Sequence, residues 1–218
     1  MKKGRPTTDD RREKASDRHL GGDHARIIDR VDGSLAAIGT LRDDVPVVAA
    51  LIELIIGRLE AGGTLYTAGN GGSAAQALHL AEELIGRYRS DRPPQRAVCL
   101  NADPTALTCI ANDYGYEEVF ARQCTALLTD RDVLLVLSTS GESANVVEAL
   151  LVARRRGAAT IGLLGNSGGR CAALCDRALI VPSADSAHIQ EAHQVVLHLI
   201  CEGLEERIVN SPSPPSRQ

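Results

Sequence analysis

The chain has 218 residues, a formal net charge of −4 at pH 7, 44% hydrophobic residues and 24% charged residues, as in an ordinary globular domain with one sizeable core. Aromatic residues make up only 2%, with one Phe and no Trp, so we expect an aliphatic core and no aromatic platform for stacked bases. The acidic balance likewise argues against a general nucleic-acid-binding surface.

Residues 1–21 are polar and charged, and we expect them to form a disordered arm, as we expect a flexible tail over 209–218. Between these ends we predict a single domain, 22–208. It begins with helical patterns over about 23–38 and 44–61, and a pair of glycines follows the second pattern as a helix stop.

Short apolar runs then alternate with helical patterns. Such alternation predicts a doubly wound α/β domain, a three-layer α/β/α sandwich with a central, mainly parallel sheet and extra N-terminal helices. The predicted strands are Thr64–Ala68, Ala97–Leu100, Asp132–Leu137, Ala159–Leu164 and Ala178–Val181. The predicted helices between and after them are 73–88, 104–111, 116–128, 144–156 and 187–207.

A glycine-rich turn, Gly69–Ser73, joins the first strand to its helix. Glycines allow close backbone approach, and a helix N-terminus offers unpaired N–H groups to an anion. We place Ser73 at the N-cap. The spacing matches neither a dinucleotide fingerprint nor a P-loop, which disfavours a nucleotide. Taken alone, the segment is equally well explained as an ordinary glycine-rich turn.

A second polar loop, Ser138–Ser143, also follows a buried strand and precedes a helix. Its four hydroxyls and its backbone amides suit a phosphate monoester, although a solvent-facing serine turn has the same composition. Ligands of open α/β sheets bind at the carboxyl ends of the strands. Two such loops in one sheet therefore favour phosphate binding.

His79 and Glu83 are four residues apart and share one face of the helix after the glycine turn. Gln190, Gln194 and His198 form a stripe on the last helix. A surface His–Glu pair usually has no function. Beside a phosphate site, these groups suit either a divalent metal, with Zn²⁺ the natural choice, or acid–base catalysis. The residues alone leave both roles open.

The six cysteines show no disulfide-framework spacing, so we expect free thiols. No apolar stretch approaches the ~20 residues of a membrane span, and the N-terminus lacks the apolar core of a secretory signal. The expected location is therefore cytoplasmic.

Four segments resemble, in order, those of the sedoheptulose-7-phosphate isomerase (phosphoheptose isomerase) family of SIS-domain proteins. They are AGNGGSAAQALHLAEEL at 68–84, ANDYGY at 111–116, STSGESANV at 138–146 and IQEAH at 189–193. The resemblance covers about residues 25–207. It implies an SIS fold, isomerisation of sedoheptulose 7-phosphate to an aldoheptose 7-phosphate, and a homotetramer with active sites at subunit interfaces.

The resemblance also implies roles for individual residues. Glu83 and His198 match the catalytic pair, and one zinc ion per subunit is expected on His79, Glu83, Gln190 and His198. Zinc ligation and proton transfer by the same Glu83 would require one of the two roles to be transient. The substrate-binding positions are Asn70, Gly71, Gly72, Ser73, Asn112, Asp113, Ser138, Thr139, Ser140, Ser143 and Gln190.

One departure lies at Ala187-His188, where many family members have Ala-Arg or Asp-Arg. We hypothesise that His188 alters the C2 configuration of the product, so that D-glycero-D-manno- and D-glycero-D-altro-heptose 7-phosphate are both expectations.

A hexose or pentose phosphate isomerase is a related alternative function. From another class, a non-catalytic SIS protein that binds a sugar phosphate or a replication-initiator partner is the alternative, but such proteins lack the acid and the late histidine retained here as Glu83 and His198. A sugar-phosphate-sensing regulator would need a DNA-binding domain that residues 1–21 do not supply.

Overall fold

The computed structural model describes residues 8–210, with side chains described from 23 to 209. The five strands are β1 Leu65–Gly69, β2 Ala97–Cys99, β3 Val133–Ser138, β4 Ala159–Gly165 and β5 Arg177–Val181. The eight α-helices of the described residues are α1 Thr8–Gly39, α2 Val45–Glu60, α3 Gly72–Ile85, α4 Pro104–Tyr114, α5 Ala121–Leu127, α6 Ala144–Arg155, α7 Gly169–Ala172 and α8 Ser186–Asn210.

The strands form one parallel sheet in the order β2-β1-β3-β4-β5. Along β3, Val133 and Leu135 face one side and Leu134 and Val136 face the other, and all four are fully buried. A strand covered on both faces reads as a continuous apolar run, which is why the sequence revealed β3 so clearly.

Two apolar clusters cover the two faces of the sheet. Helices α1, α2, α3 and α8 pack on one face, and α4, α5, α6 and α7 pack on the other. The three-layer α/β/α prediction is thus confirmed. Helix α3 follows β1 and α6 follows the neighbouring β3, yet the two helices lie on opposite faces, so a crevice opens between them at the carboxyl ends of the strands.

Helix α1 begins at Thr8, and the disordered arm expected over residues 1–21 stays a prediction. Six of the fourteen residues 8–21 are Arg, Glu, Lys or Ala, which have high helix propensity, and this segment extends the packed part of α1 without an apolar stripe of its own. Residues 1–7 of the predicted arm and 211–218 of the predicted tail lie outside the described residues.

The packed part of α1 is attached to the start of α8. Arg30 forms an ion pair with Asp185, and the ring of His188 lies so close to Gly33 that a Cβ there would be 2.3 Å from the ring's Cε1 atom. No helix within residues 8–210 combines the length and the apolar composition that a membrane crossing requires.

Candidate active site

The turn after β1 adopts a conformation that only its glycines allow easily. Gly71 has φ +56°, and it, rather than Ser73, precedes the first helical residue of α3. The expected Ser73 cap is therefore wrong, because the positive φ at Gly71 starts the helix two residues earlier. Ser73 lies buried inside the first turn, where Gln190 Nε2 donates to its Oγ over 3.4 Å.

The serine loop after β3 is held by its own hydroxyls. Ser138 Oγ accepts from the backbone N–H of Gly141 at 3.0 Å, and Ser140 Oγ accepts from that of Glu142 at 3.1 Å. Thr139 Oγ1 accepts from Ser186 Oγ over 3.3 Å, which ties the loop to the start of α8. These bonds fix the loop before any ligand binds.

The two predicted loops line one small pocket. Its walls come from the glycine turn, the serine loop and α8, and they consist of Asn70, Ser73, Leu137, Ser138, Thr139, Ser143 and Gln190. The N-termini of α3 and α6 meet here, and within the described residues neither has a side chain bonded as its N-cap. The pocket therefore offers hydroxyls and helix-end N–H groups, a donor set suited to a phosphate.

Other predicted substrate residues stand apart from the pocket walls. Ser140 is exposed, and Gly72 packs under Gln190, where a Cβ would be 2.7 Å from the side-chain amide. Asn112 and Asp113 are exposed on α4 and bond to each other at 2.7 Å. Within this one chain, the structure does not bring Asn112 and Asp113 to the pocket.

A reciprocal amide pair fixes Asn70. Asn70 Nδ2 donates to Asn145 Oδ1, and Asn145 Nδ2 donates to Asn70 Oδ1, both at 2.9 Å. Tyr116 Oη adds a third bond to Asn70 Oδ1 at 3.0 Å. Sequence reasoning did not assign Asn145 or Tyr116 to the site. Their presence in the family-like segments was the available signal.

Farther along α3, the predicted reacting groups form a second cluster. His79 Nε2 lies 3.1 Å from Glu83 Oε1. On α8, Gln194 Nε2 lies 2.9 Å from His79 Nδ1 and 3.0 Å from His198 Nε2. The two imidazole rings stand edge to face with centroids 5.5 Å apart. Gln190, a predicted metal position, instead has its side chain at Ser73 in the pocket.

The donors in this second cluster suit a zinc-class ion. Ligand atoms of His79, Glu82 and Glu83 lie within 4.8 Å of one another. The 3.1 Å between His79 Nε2 and Glu83 Oε1 is near the ~3.3 Å expected between two ligands of one tetrahedral zinc. Imidazole and carboxylate are also the ligands that zinc accepts. Ligation by Gln190 and His198 stays a prediction.

A buried ion pair holds the end of α3 against α8. The Arg92 side chain is 2% exposed and donates to the carbonyl oxygens of Glu83 at 2.7 Å and Leu84 at 3.0 Å. Its Nε lies 3.9 Å from Glu205 Oε2. Burial raises the pKa of Glu205, but bonds from the backbone N–H groups of Arg89 and Ser90, with Arg92 nearby, bring that pKa below its usual range.

The two remaining histidines of α8 lie outside both clusters. His193 is fully buried, and its Nε2 donates to the carbonyl oxygen of Leu164 at 3.1 Å, as expected of a structural residue. His188 packs against α1 at Gly33, and its buried Nε2 has no hydrogen-bond partner among the described residues. The effect of His188 on product configuration stays a prediction.

The SIS domain family matches residues 35–165 of the chain. A phosphoheptose isomerase from Trichlorobacter lovleyi is 42% identical over 184 residues, which cover 84% of this chain and 89% of that protein. The solved structure of the phosphoheptose isomerase GmhA from Neisseria gonorrhoeae is 37% identical, with a TM-score of 0.76 over 86% of this chain and 98% of that one. The structure of a phosphoheptose isomerase from Francisella tularensis is 31% identical, with a TM-score of 0.79 over the same shares.

Proposed function

This chain belongs to the phosphoheptose isomerase family of SIS-domain proteins, and we propose that it converts sedoheptulose 7-phosphate to D-glycero-D-manno-heptose 7-phosphate or to its C2 epimer, D-glycero-D-altro-heptose 7-phosphate. Membership makes it a sugar-phosphate isomerase. The specific substrate, the product and the residue roles are the content of the proposal. Because its relatives are sugar-phosphate isomerases, the alternative of a non-catalytic SIS protein is rejected.

The observation that supports the proposal is the placement of two unlike sites along one helix. The first turn of α3 borders the hydroxyl-lined pocket, and its third turn presents Glu83 to His79 and to the α8 cluster. A sugar phosphate anchored in the pocket by Ser73 and the serine loop would extend its open chain along α3. Its carbonyl end would then lie beside Glu83 and His198.

The chemistry requires a base and a second proton carrier. Glu83 takes the proton from C1 of the ketose and returns it to C2, which gives the aldose through an enediol or enediolate. His198 moves the hydroxyl proton between O1 and O2. Asn70, held by Asn145 and Tyr116, presents its amide toward the sugar, and Gln190 stands between Ser73 and the chain of the substrate.

A zinc ion on His79 and Glu83, with His198 and Gln190 as further candidate ligands, would supply Lewis-acid polarisation of the substrate oxygens. The steps above are assigned to side chains of the protein. Zinc therefore stays a separate part of the proposal with its own test.

Asn112 and Asp113 motivate the proposal of a homotetramer with shared sites. Both are family-like substrate positions, yet both are exposed and neither is among the residues that line the pocket of their own chain. A neighbouring subunit would bring them to a site. Analytical ultracentrifugation tests the assembly, and a monomer with full turnover would contradict it.

The decisive experiment incubates the purified protein with sedoheptulose 7-phosphate, with and without a chelator, and follows the products by NMR. Production of aldoheptose 7-phosphate is expected. No turnover with zinc present would refute the function, whereas full turnover after verified metal removal would refute zinc alone. Glu83→Gln should abolish turnover yet leave phosphate binding intact, and an active Glu83→Gln would overturn the role assignment.

The same NMR spectra report the configuration at C2. If His188 influences it through the α1–α8 contact, His188→Arg will change the ratio of manno to altro product. Identical ratios from the two proteins would remove that hypothesis.

A further inference from the structure

Gln194 lies between the two imidazoles of the proposed active site. Its amide nitrogen is 2.9 Å from His79 Nδ1 and 3.0 Å from His198 Nε2. A primary amide nitrogen has two N–H donors and no lone pair to accept with, so one N–H is available for each ring. Gln194 donates to both rings only if its side-chain amide cannot rotate by 180° and exchange its nitrogen for its oxygen.

The orientation of the Gln194 amide is set by a neighbouring glutamine. Gln76 Nε2 donates to the backbone carbonyl oxygen of Gln190 at 2.7 Å and to Gln194 Oε1 at 3.3 Å. A carbonyl can only accept, so turning the Gln76 amide over would place two oxygens 2.7 Å apart. Turning Gln194 alone would set two amide nitrogens against each other.

This orientation of the Gln76 amide leaves its side-chain oxygen without a hydrogen bond. Its Oε1 is buried and has no hydrogen-bond partner among the described residues. A buried amide oxygen without a partner costs free energy, and the residue accepts this cost because its nitrogen is needed at the Gln190 carbonyl. The Gln190 carbonyl therefore fixes the orientation of the Gln76 amide, and the Gln76 amide in turn fixes the orientation of the Gln194 amide.

We propose that Gln194 is a positioning residue that sets the ring tautomers of His79 and His198. Because it donates to both rings, His79 Nδ1 and His198 Nε2 must present lone pairs. The ring proton of His79 then lies on Nε2 and points at Glu83 Oε1, 3.1 Å away. The ring proton of His198 lies on Nδ1, while the lone pair of its Nε2 accepts from Gln194. The Nδ1–H is therefore the ring group left for proton exchange in the proposed reaction.

This arrangement bears on zinc as well. A histidine that binds a metal through Nε2 has its proton on Nδ1 and usually donates it to a carboxylate or a carbonyl. Here Nδ1 of His79 faces a donor. Zinc at His79 Nε2 would require the ring proton to move to Nδ1, where the wild-type Gln194 offers no acceptor. Gln194 should therefore weaken the proposed zinc site without abolishing it, and Gln194→Glu, which can still accept from Gln76, supplies the missing acceptor.

The first test observes the tautomers directly, without turnover. The metal-free full-length protein with ¹⁵N-labelled histidine is studied by long-range ¹H–¹⁵N NMR, with His79→Gln and His198→Gln used to assign the signals. We expect an Nε2–H ring for His79 and an Nδ1–H ring for His198. Gln194→Leu should release His198 from that form, whereas Gln123→Leu, a change of a half-buried glutamine in the opposite layer, should not. Unchanged ring signals in Gln194→Leu would overturn the inference.

The second test measures zinc affinity by calorimetry. Gln194→Glu is expected to bind Zn²⁺ at least about tenfold more tightly than the wild type, the usual scale of an outer-shell partner. Equal affinities would count against the inference. The role of the His198 ring in proton transfer rests on the proposed function, but the ring tautomers do not: expected tautomers in a protein without isomerase activity would refute the function alone.

Discussion

The buried His193 should make the protein sensitive to mild acid. Its ring is fully buried, and burial disfavours the charged form, so its pKa falls from 6.5 to about 4 although the bond to the Leu164 carbonyl opposes the shift. Between these pH values the unfolded chain binds a proton at this position and the folded chain does not. The free energy of unfolding must therefore fall as the pH drops from about 6.5 to about 4.

The size of the effect follows from the same two values. Each unit of pKa difference corresponds to about 1.4 kcal/mol, so the full loss is about 3 kcal/mol, and about 2 kcal/mol of it is lost by pH 5. His193→Gln keeps a nitrogen donor for the Leu164 carbonyl but cannot titrate. We expect the variant to lose about 2 kcal/mol less stability than the wild type between pH 7 and pH 5.

Urea unfolding at pH 7, 6 and 5, at one fixed protein concentration, measures this difference. Because the other titrating groups are shared, their contributions cancel between the two proteins. His24→Gln makes the same change at an exposed position of α1 and serves as the control. Parallel pH profiles for the wild type and His193→Gln would refute the reasoning.

Two substitutions and one chemical modification test the framework of the site and the fold. Arg92→Met should lower the free energy of unfolding by about 3–5 kcal/mol in urea titrations, because it leaves Glu205 buried without its cation. A loss below about 1 kcal/mol would contradict a buried ion pair. Gly141→Ala should lower the melting temperature and weaken the binding of inorganic phosphate, because φ is +67° at this position and a Cβ would be 2.0 Å from a backbone oxygen. A wild-type melting temperature together with wild-type phosphate affinity would contradict the role of the turn. Iodoacetamide at pH 8 should modify exposed Cys109 first and spare Cys124, whose burial raises its thiol pKa to about 12, as peptide mass spectrometry will show.

The sequence was most informative where one local pattern decides the structure. The apolar run 133–137 predicted a strand buried on both faces, and the two polar loops were correctly placed at the strand ends that form the pocket. All six cysteines are free in the described structure, as their spacing indicated. For the strand and the two loops, the information lies within about ten consecutive residues.

Contacts between distant segments could not be predicted in this way. Gln194 and His79 are 115 positions apart, and their contact depends on how closely α8 approaches α3. Asn70 and Asn145 pair across 75 positions for a similar reason. Local conformation also misled the prediction at Gly71, where a positive φ moved the helix start away from Ser73.

If Ser73 anchors the phosphate and Glu83 is the base, as proposed, helix α3 also sets the length of substrate that reacts. Ser73 and Glu83 are ten residues apart, which in a rigid α-helix separates their backbones by about 15 Å along the axis. An extended chain lengthens by about 1.2 Å per bond, so a sugar phosphate one carbon shorter, held at the same anchor, would bring its carbonyl carbon about 1.2 Å short of Glu83. A misplacement of that size costs on the order of 100-fold in rate. Under that proposal, selection by the number of carbon atoms would follow from the fixed rise of one helix, without a separate contact for each hydroxyl.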